Sequence, residues 1–194
     1  MLLRSAEHTR KTKETNVSLS LNLDGGDIKI NTGIGFFDHM LNSLAVHGHF
    51  GLRVNVIGDL LVDCHHTVED TAIVLGKAFN EALGDKSGIK RYGSAYIPMD
   101  EALAFTCVDV SSRPFLVFEA KFNAERCGEF DTCMTEEFFR AFSYNAGITL
   151  HTKILYGNNS HHMIEAMFKA AAHALKAAVE VVGTTSPLST KGVL

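Results

Sequence analysis

A chain of 194 residues, 46% hydrophobic and 21% charged, has the composition of a globular protein large enough to bury a core, not of a disordered or fibrous one. Its 18 Lys plus Arg against 22 Asp plus Glu leave a net charge of −4, which excludes a global positive field for nucleic acid or anionic membrane. Any anionic ligand has to be held by a local basic cluster. The four cysteines include no CxxC pair, and neither a charged leader with an apolar run nor a membrane-length apolar stretch is present, so reduced thiols, the cytoplasm and no membrane partner are expected.

Val17, Leu19, Leu21 and Leu23 alternate with polar residues, a strand that reaches Asp24-Gly25-Gly26-Asp27 and resumes at Ile28, so a β-hairpin is expected here. Apolar Phe37, Met40, Leu41 and Leu44 predict a helix over about 36–47. Extended stretches at 52–57 and 60–62 follow, then a helix from about His65 to Leu83 stopped by Gly84. Further on, strands are expected at 94–97, 103–110 and 115–120, a helix at 135–145 stopped by Gly147, a strand at 148–155, and a helix over about 161–182 capped by Ser160. The tail from Thr184, with Pro187 and Gly192, reads as irregular. Both halves thus run strands, helix, strand, helix, with a boundary near 87–91. The expected architecture is α+β: one domain of two duplicated half-domains, about 1–88 and 89–194, each a β-sheet with helices on one face.

The duplication extends to the histidines. His65-His66-x-x-Glu69 opens the last helix of the first half and His161-His162-x-x-Glu165 the last helix of the second, 96 residues on. Adjacent helical residues diverge by about 100°, whereas residues three or four apart share a face, so both histidines of a motif cannot easily serve one ion with the glutamate. Each motif is expected to give one histidine and its glutamate to one metal and its other histidine to a second. A further ligand per site is available from the preceding helix: His39 lies 26 residues before His65, and Glu137 lies 24 before His161. Imidazole and carboxylate without thiolate suit Mn²⁺, Fe²⁺ or Zn²⁺, and manganese is expected. A single such motif would more simply cap or pack a helix; two copies at matching places favour metal. His8, His47, His49 and His173 have no such partners and read as structural, His151 stays open, and Cys64 reads as a small buried residue. A metal-dependent hydrolase or a metal-storage module also fits a two-metal site, whereas a zinc protease does not, since HExxH is absent.

The chain resembles the imidazoleglycerol-phosphate dehydratase family through Thr12-Lys13-Glu14-Thr15, Phe37-Asp38-His39-Met40-Leu41, the run from Asp63 to Asp70 and Pro98-Met99-Asp100-Glu101-Ala102-Leu103. The likeness continues through Asp109-Val110-Ser111-Ser112-Arg113-Pro114, the run from Asn159 to Ala166 and Ser189-Thr190-Lys191-Gly192-Val193. It implies a duplicated fold of the ribosomal protein S5 domain 2 type, assembled into a hollow shell of 24 subunits with sites shared between chains. It further implies manganese-dependent dehydration of D-erythro-imidazoleglycerol phosphate to imidazole acetol phosphate in histidine biosynthesis, through an imidazolate and a diazafulvene-like intermediate, with two ions per active site. One ion would take His39, His66, Glu69 and His162, the other His65, Glu137, His161 and Glu165. Many members carry histidine where this chain has Glu137, so His151 or water is the alternative at that position. Arg91, Arg113, Ser189, Thr190 and Lys191 would hold the phosphate, with Lys169, His39, His65, Glu69 and His161 also facing substrate. Glu14 is implied as the proton carrier, beside Glu69 and Glu165 as catalytic carboxylates. Guanidinium forks, hydroxyls and a lysine suit a phosphate dianion, which explains how a chain of net charge −4 holds an anion.

Overall fold

A computed structural model of the chain describes residues 4–183 and 186–190. The first half contains β1 (Ser5–Lys11), β2 (Thr15–Asn22), β3 (Ile28–Asn31), α1 (Gly35–Gly48), β4 (Gly51–Gly58) and α2 (His65–Leu83). The second contains β5 (Tyr92–Met99), β6 (Ala102–Asp109), β7 (Phe115–Glu119), a short ribbon β8 (Arg126–Cys127) and β9 (Phe130–Asp131), α3 (Met134–Ala146), β10 (Thr149–Tyr156) and α4 (Ser160–Ala178). Two four-stranded sheets result, ordered β1-β2-β4-β3 and β5-β6-β10-β7. Position by position these orders are the same, and in both the last strand of the half runs parallel to its third.

That order corrects the expected hairpin. β2 and β3 do not pair, because β4 inserts between them, antiparallel to β2 and parallel to β3. Leu52, Val54 and Val56 thereby complete the buried face with Val17, Leu19 and Leu21. The true hairpin is β1 with β2, around a turn at 12–14. β1 had no visible alternation because its inward positions hold Ala6, His8 and Arg10. Residues 60–62 are a turn, not a strand: the Val62 N–H donates to the Asp59 carbonyl at 2.8 Å and Leu61 is fully exposed. α4 ends at Ala178, short of the expected 182, because the next residues turn extended and pair with 88–90, through an Ile89–Val181 bridge and a Val182 N–H donated to the Gly88 carbonyl.

The four helices lie between the sheets. α2 covers β1 and β2, and α4 covers β5 and β6. Across the middle, α1 packs on α4 and α3 on α2, so each pair joins the two halves. One continuous apolar cluster runs from Val17 and Leu19 through Phe37, Phe79, Phe138 and Phe168 to Leu150. Two glycines set the close approaches: a Cβ at Gly76 would meet the Phe142 carbonyl at 2.7 Å across α2–α3, and one at Gly93 would collide with the Ala174 carbonyl across β5–α4.

Candidate metal centre and phosphate cleft

The two motifs fold alike. His65 Nε2 lies 3.7 Å from Glu69 Oε2, and His161 Nε2 lies 3.2 Å from Glu165 Oε2, both four residues apart on one helix face. In each motif the second ring turns away from the first: the ring centres are 6.1 Å apart at 76° in α2 and 6.0 Å apart at 79° in α4. The expected divergence of adjacent histidines is therefore what the helices present. The α4 motif is entered through Asn159, whose side chain accepts the His161 N–H at 2.9 Å and the His162 N–H at 3.4 Å. The cap is thus Asn159 and not Ser160, whose hydroxyl instead accepts the N–H groups of Asn123 and Ala124.

At the second histidines the partners are carboxylates. His66 Nδ1 is 3.0 Å from Asp59 and its Nε2 is 3.8 Å from Glu14 Oε1. His162 Nδ1 is 2.7 Å from Glu101 and its Nε2 is 3.7 Å from Asp100. The hydrogen bond with Asp59 holds His66 above its ordinary pKa, and the one with Glu101 does the same for His162. In return the Glu101 carboxyl is pulled down to about 2, by His162 first and by the N–H groups of Asn159 and Asn158 next. Asp59, Asp100 and Glu101 were not read as site residues from the sequence, although Asp100 and Glu101 sit inside one of the recognised motifs.

α1 brings His39 to this region. Its Nε2 is 3.3 Å from Glu165 Oε2, and the donor atoms of His39, His161 and Glu165 all lie within 4.8 Å of one another, the one such group among the described residues. Phe36 packs edge-on against His161 with ring centres 4.9 Å apart. Burial works to raise the Glu165 pKa, but Lys169, whose Nζ is 2.7 Å from Oε1, and then His39 carry it below the ordinary value. Imidazole nitrogens and a carboxylate oxygen at this spacing fit Mn²⁺, Fe²⁺ or Zn²⁺.

Within one chain this grouping differs from the sets the resemblance implied. His39 was expected with His66, Glu69 and His162, but it meets His161 and Glu165, because α1 packs on α4 and not on α2. Glu69 likewise faces His65 and not His66. Glu137 occupies on α3 the place His39 has on α1: buried Thr135, Phe138, Phe139 and Phe142 repeat the spacing of buried Phe37, Met40, Leu41 and Leu44. Its carboxylate accepts from Arg140 at 2.8 Å. His151 is exposed on β10, paired in register with Cys107 and Val117 on the sheet face away from the helices.

The expected phosphate ligands converge elsewhere. Arg91 is buried with φ 73°, its Nε and Nη2 donating to the two Asp109 oxygens at 2.7 and 3.1 Å and its Nη1 to the Leu188 carbonyl at 2.5 Å. Asp109 also accepts from Arg113 at 3.3 Å. Arg91, Arg113, Leu188, Ser189 and Thr190 line a cleft of about 580 Å³. Lys191 lies outside the described residues. The remaining histidines are spread: His8 pairs with Glu81 at 2.7 Å, His49 ends α1 in a left-handed conformation, and His47 and His173 face each other between α1 and α4, both held below their ordinary pKa chiefly by burial.

Comparison with known proteins identifies the family of the chain. A model of the imidazoleglycerol-phosphate dehydratase family matches residues 32–175. Imidazoleglycerol-phosphate dehydratase of Clostridium novyi is 55% identical over 196 residues and covers 100% of both chains, and that of Bacillus thuringiensis is 54% identical over 194 residues, 99% of this chain and 100% of its own. The crystal structure of the Staphylococcus aureus enzyme superposes with a TM-score of 0.84 at 41% identity, covering 91% of this chain and 99% of that one. The Pyrococcus furiosus enzyme, solved in complex with (S)-C348, gives a TM-score of 0.84 at 33% identity, with 96% and 100% covered. The chain belongs to the imidazoleglycerol-phosphate dehydratase family, hydro-lyases of histidine biosynthesis.

Proposed function

We propose that the chain dehydrates D-erythro-imidazoleglycerol phosphate to imidazole acetol phosphate as a manganese enzyme with two ions per active site. The convergence of His39, His161 and Glu165 carries this reading, since three N and O donors meet at one point beside a motif that the chain repeats. His65, His66, Glu69 and His162 would supply the remaining ligands, with Glu137 at the position equivalent to His39. A bound divalent ion would supply Lewis-acid polarisation of the substrate's ring and hydroxyls.

The chain's own residues do the rest. Lys169 keeps Glu165 ionised and so available as a ligand. Glu14 stands exposed on the β1–β2 turn, its backbone N–H donating to Thr12 Oγ1 at 3.1 Å and its carbonyl accepting from Asp59 at 3.1 Å, so the carboxylate has a fixed base from which to take a carbon-bound proton. Arg91 and Arg113, oriented by Asp109, with Ser189, Thr190 and Lys191, grip the phosphate dianion.

Sharing of sites between copies is part of the proposal. The Arg91 N–H donates to Ala178 at the C-terminal end of α4, whereas His161 stands in its first turn. At 1.5 Å per residue these are about 25 Å apart, too far for one small substrate, so the arginines of one chain would serve the metal cluster of another. A 24-subunit shell would repeat that arrangement. Among the described residues no helix is long and apolar enough to cross a membrane, and we place the enzyme in the cytoplasm.

Turnover tests the reading. Protein stripped with chelator and reloaded with Mn²⁺ should consume imidazoleglycerol phosphate, followed by the absorbance of the enol product in alkali. Full turnover by the stripped protein, or none by the reloaded one, would overturn it.

A further inference from the structure

The second histidine of each motif is held from outside the motif, and the two holders come from different places in the repeat. Asp59 follows β4, whereas Glu101 sits in the β5–β6 turn. The residue at the corresponding turn of the first half is Glu14, which meets the Nε2 side of His66, while Glu101 meets the Nδ1 side of His162. Asp100 stands on the Nε2 side of His162 as Glu14 does for His66. Each ring is therefore flanked by two carboxylates, one per nitrogen, although the residues that supply them are not the same in the two halves.

The Nδ1 holders are themselves anchored. Glu101 Oε1 accepts the Asn158 N–H at 3.1 Å and the Asn159 N–H at 2.7 Å, and Asn159 caps the helix that carries His162. Its other oxygen is left for the ring, at 2.7 Å. Asp59 donates its N–H to the Glu14 carbonyl and meets the His66 ring through its carboxylate. A carboxylate at Nδ1 makes that nitrogen the proton-bearing one, which leaves the Nε2 lone pair free and fixes the plane of the ring.

We propose that Glu101 and Asp59 are positioning residues that set His162 and His66 as Nε2 ligands. The proposal rests on the metal reading above. Glu101→Gln keeps a carbonyl for the Asn158 and Asn159 N–H groups but turns an NH₂ to the ring, so the acceptor at Nδ1 becomes a donor and the tautomer reverses. Asp59→Asn can still present an oxygen, and loses charge only.

Calorimetric titration of metal-stripped protein with Mn²⁺ distinguishes the outcomes. Loss of such a partner should weaken Mn²⁺ binding by about 10- to 100-fold in Glu101→Gln and by less in Asp59→Asn. The metal-free variants should keep the wild-type circular dichroism and hydrodynamic size, and a crystal structure of Glu101→Gln should show the His162 ring turned. Glu101→Asp keeps the charge but shortens the reach by one methylene, and should lose affinity in the same direction. Wild-type affinity in Glu101→Gln, or full affinity in Glu101→Asp, overturns the proposal while leaving the metal reading intact. Failure of the wild-type chain to bind Mn²⁺ overturns both.

Discussion

The two copies of the HHxxE motif start from the same residues on the same kind of helix and end in different surroundings. In α4, Glu165 is buried, paired with Lys169 and approached by His39 and His161. In α2, Glu69 is more than a third exposed and, among the described residues, meets His65 alone, at 3.7 Å. Two substitutions account for much of the difference. The position eight residues after the first histidine is Lys169 in one copy and Ile73 in the other, and the helix packed alongside offers His39 in one case and Glu137 in the other. A duplicated scaffold thus gives each motif the same geometry, while its neighbours decide how far each site is assembled within one chain.

The largest effect is expected where His39, His161 and Glu165 meet. His39→Ala should reduce turnover of the manganese-loaded enzyme by about 10³-fold, since removing one ligand forfeits several kcal/mol of charge stabilisation. Glu137→Ala, at the equivalent place on α3, should cost far less, because its carboxylate is already engaged by Arg140. Equal losses in steady-state kcat would mean that Glu137 leaves Arg140 and serves the metal as fully as His39 does. A smaller effect is expected from Lys169→Ile, which gives α4 the residue of α2. It strands the buried Glu165 carboxylate and should lower the stability of the metal-free protein by about 2 kcal/mol, read from chemical denaturation. Smaller again is the cap: Asn159→Ala should cost about 1 kcal/mol in the same measurement. Cys64, which precedes α2, makes no side-chain cap, so Cys64→Ala has none to lose.

The finest difference is a pH dependence. Glu101 titrates at about 2 instead of its ordinary 4.5, so its contribution is present above pH 4.5 and is lost as the pH falls toward 2. His162 is raised above 6.5, so its contribution is complete below that value and disappears as the pH rises through the raised one. The difference in melting temperature between metal-free wild-type and Glu101→Gln protein should therefore be greatest between pH 4.5 and 6.5, and should shrink on both sides. A flat difference would show that the pair is not formed.

Local signals made much of this legible. Periodic apolar residues marked every helix, and the α2 and α3 starts and stops came close because Gly84 and Gly147 end them. The repeated histidines marked both motif helices. Asp59 was invisible because nothing in its own neighbourhood distinguishes it from any turn aspartate; only the return of β4 to the Glu14 turn puts it against His66. Arg91 with Asp109 became a bidentate pair only once β5 and β6 were in register. β1 escaped notice because an edge strand with Ala6, His8 and Arg10 inward carries no apolar alternation.

By itself the sequence determined the four helices, the duplication and the set of residues able to bind metal, since spacing along a helix depends only on near neighbours. Tertiary structure decided which of those residues meet. β4 separates β2 from β3, and α1 crosses to α4, because burying the apolar faces of two half-domains in one core favours pairing between distant segments over pairing between neighbours. That packing, and not the motif, placed His39 beside Glu165 and left Glu137 with Arg140.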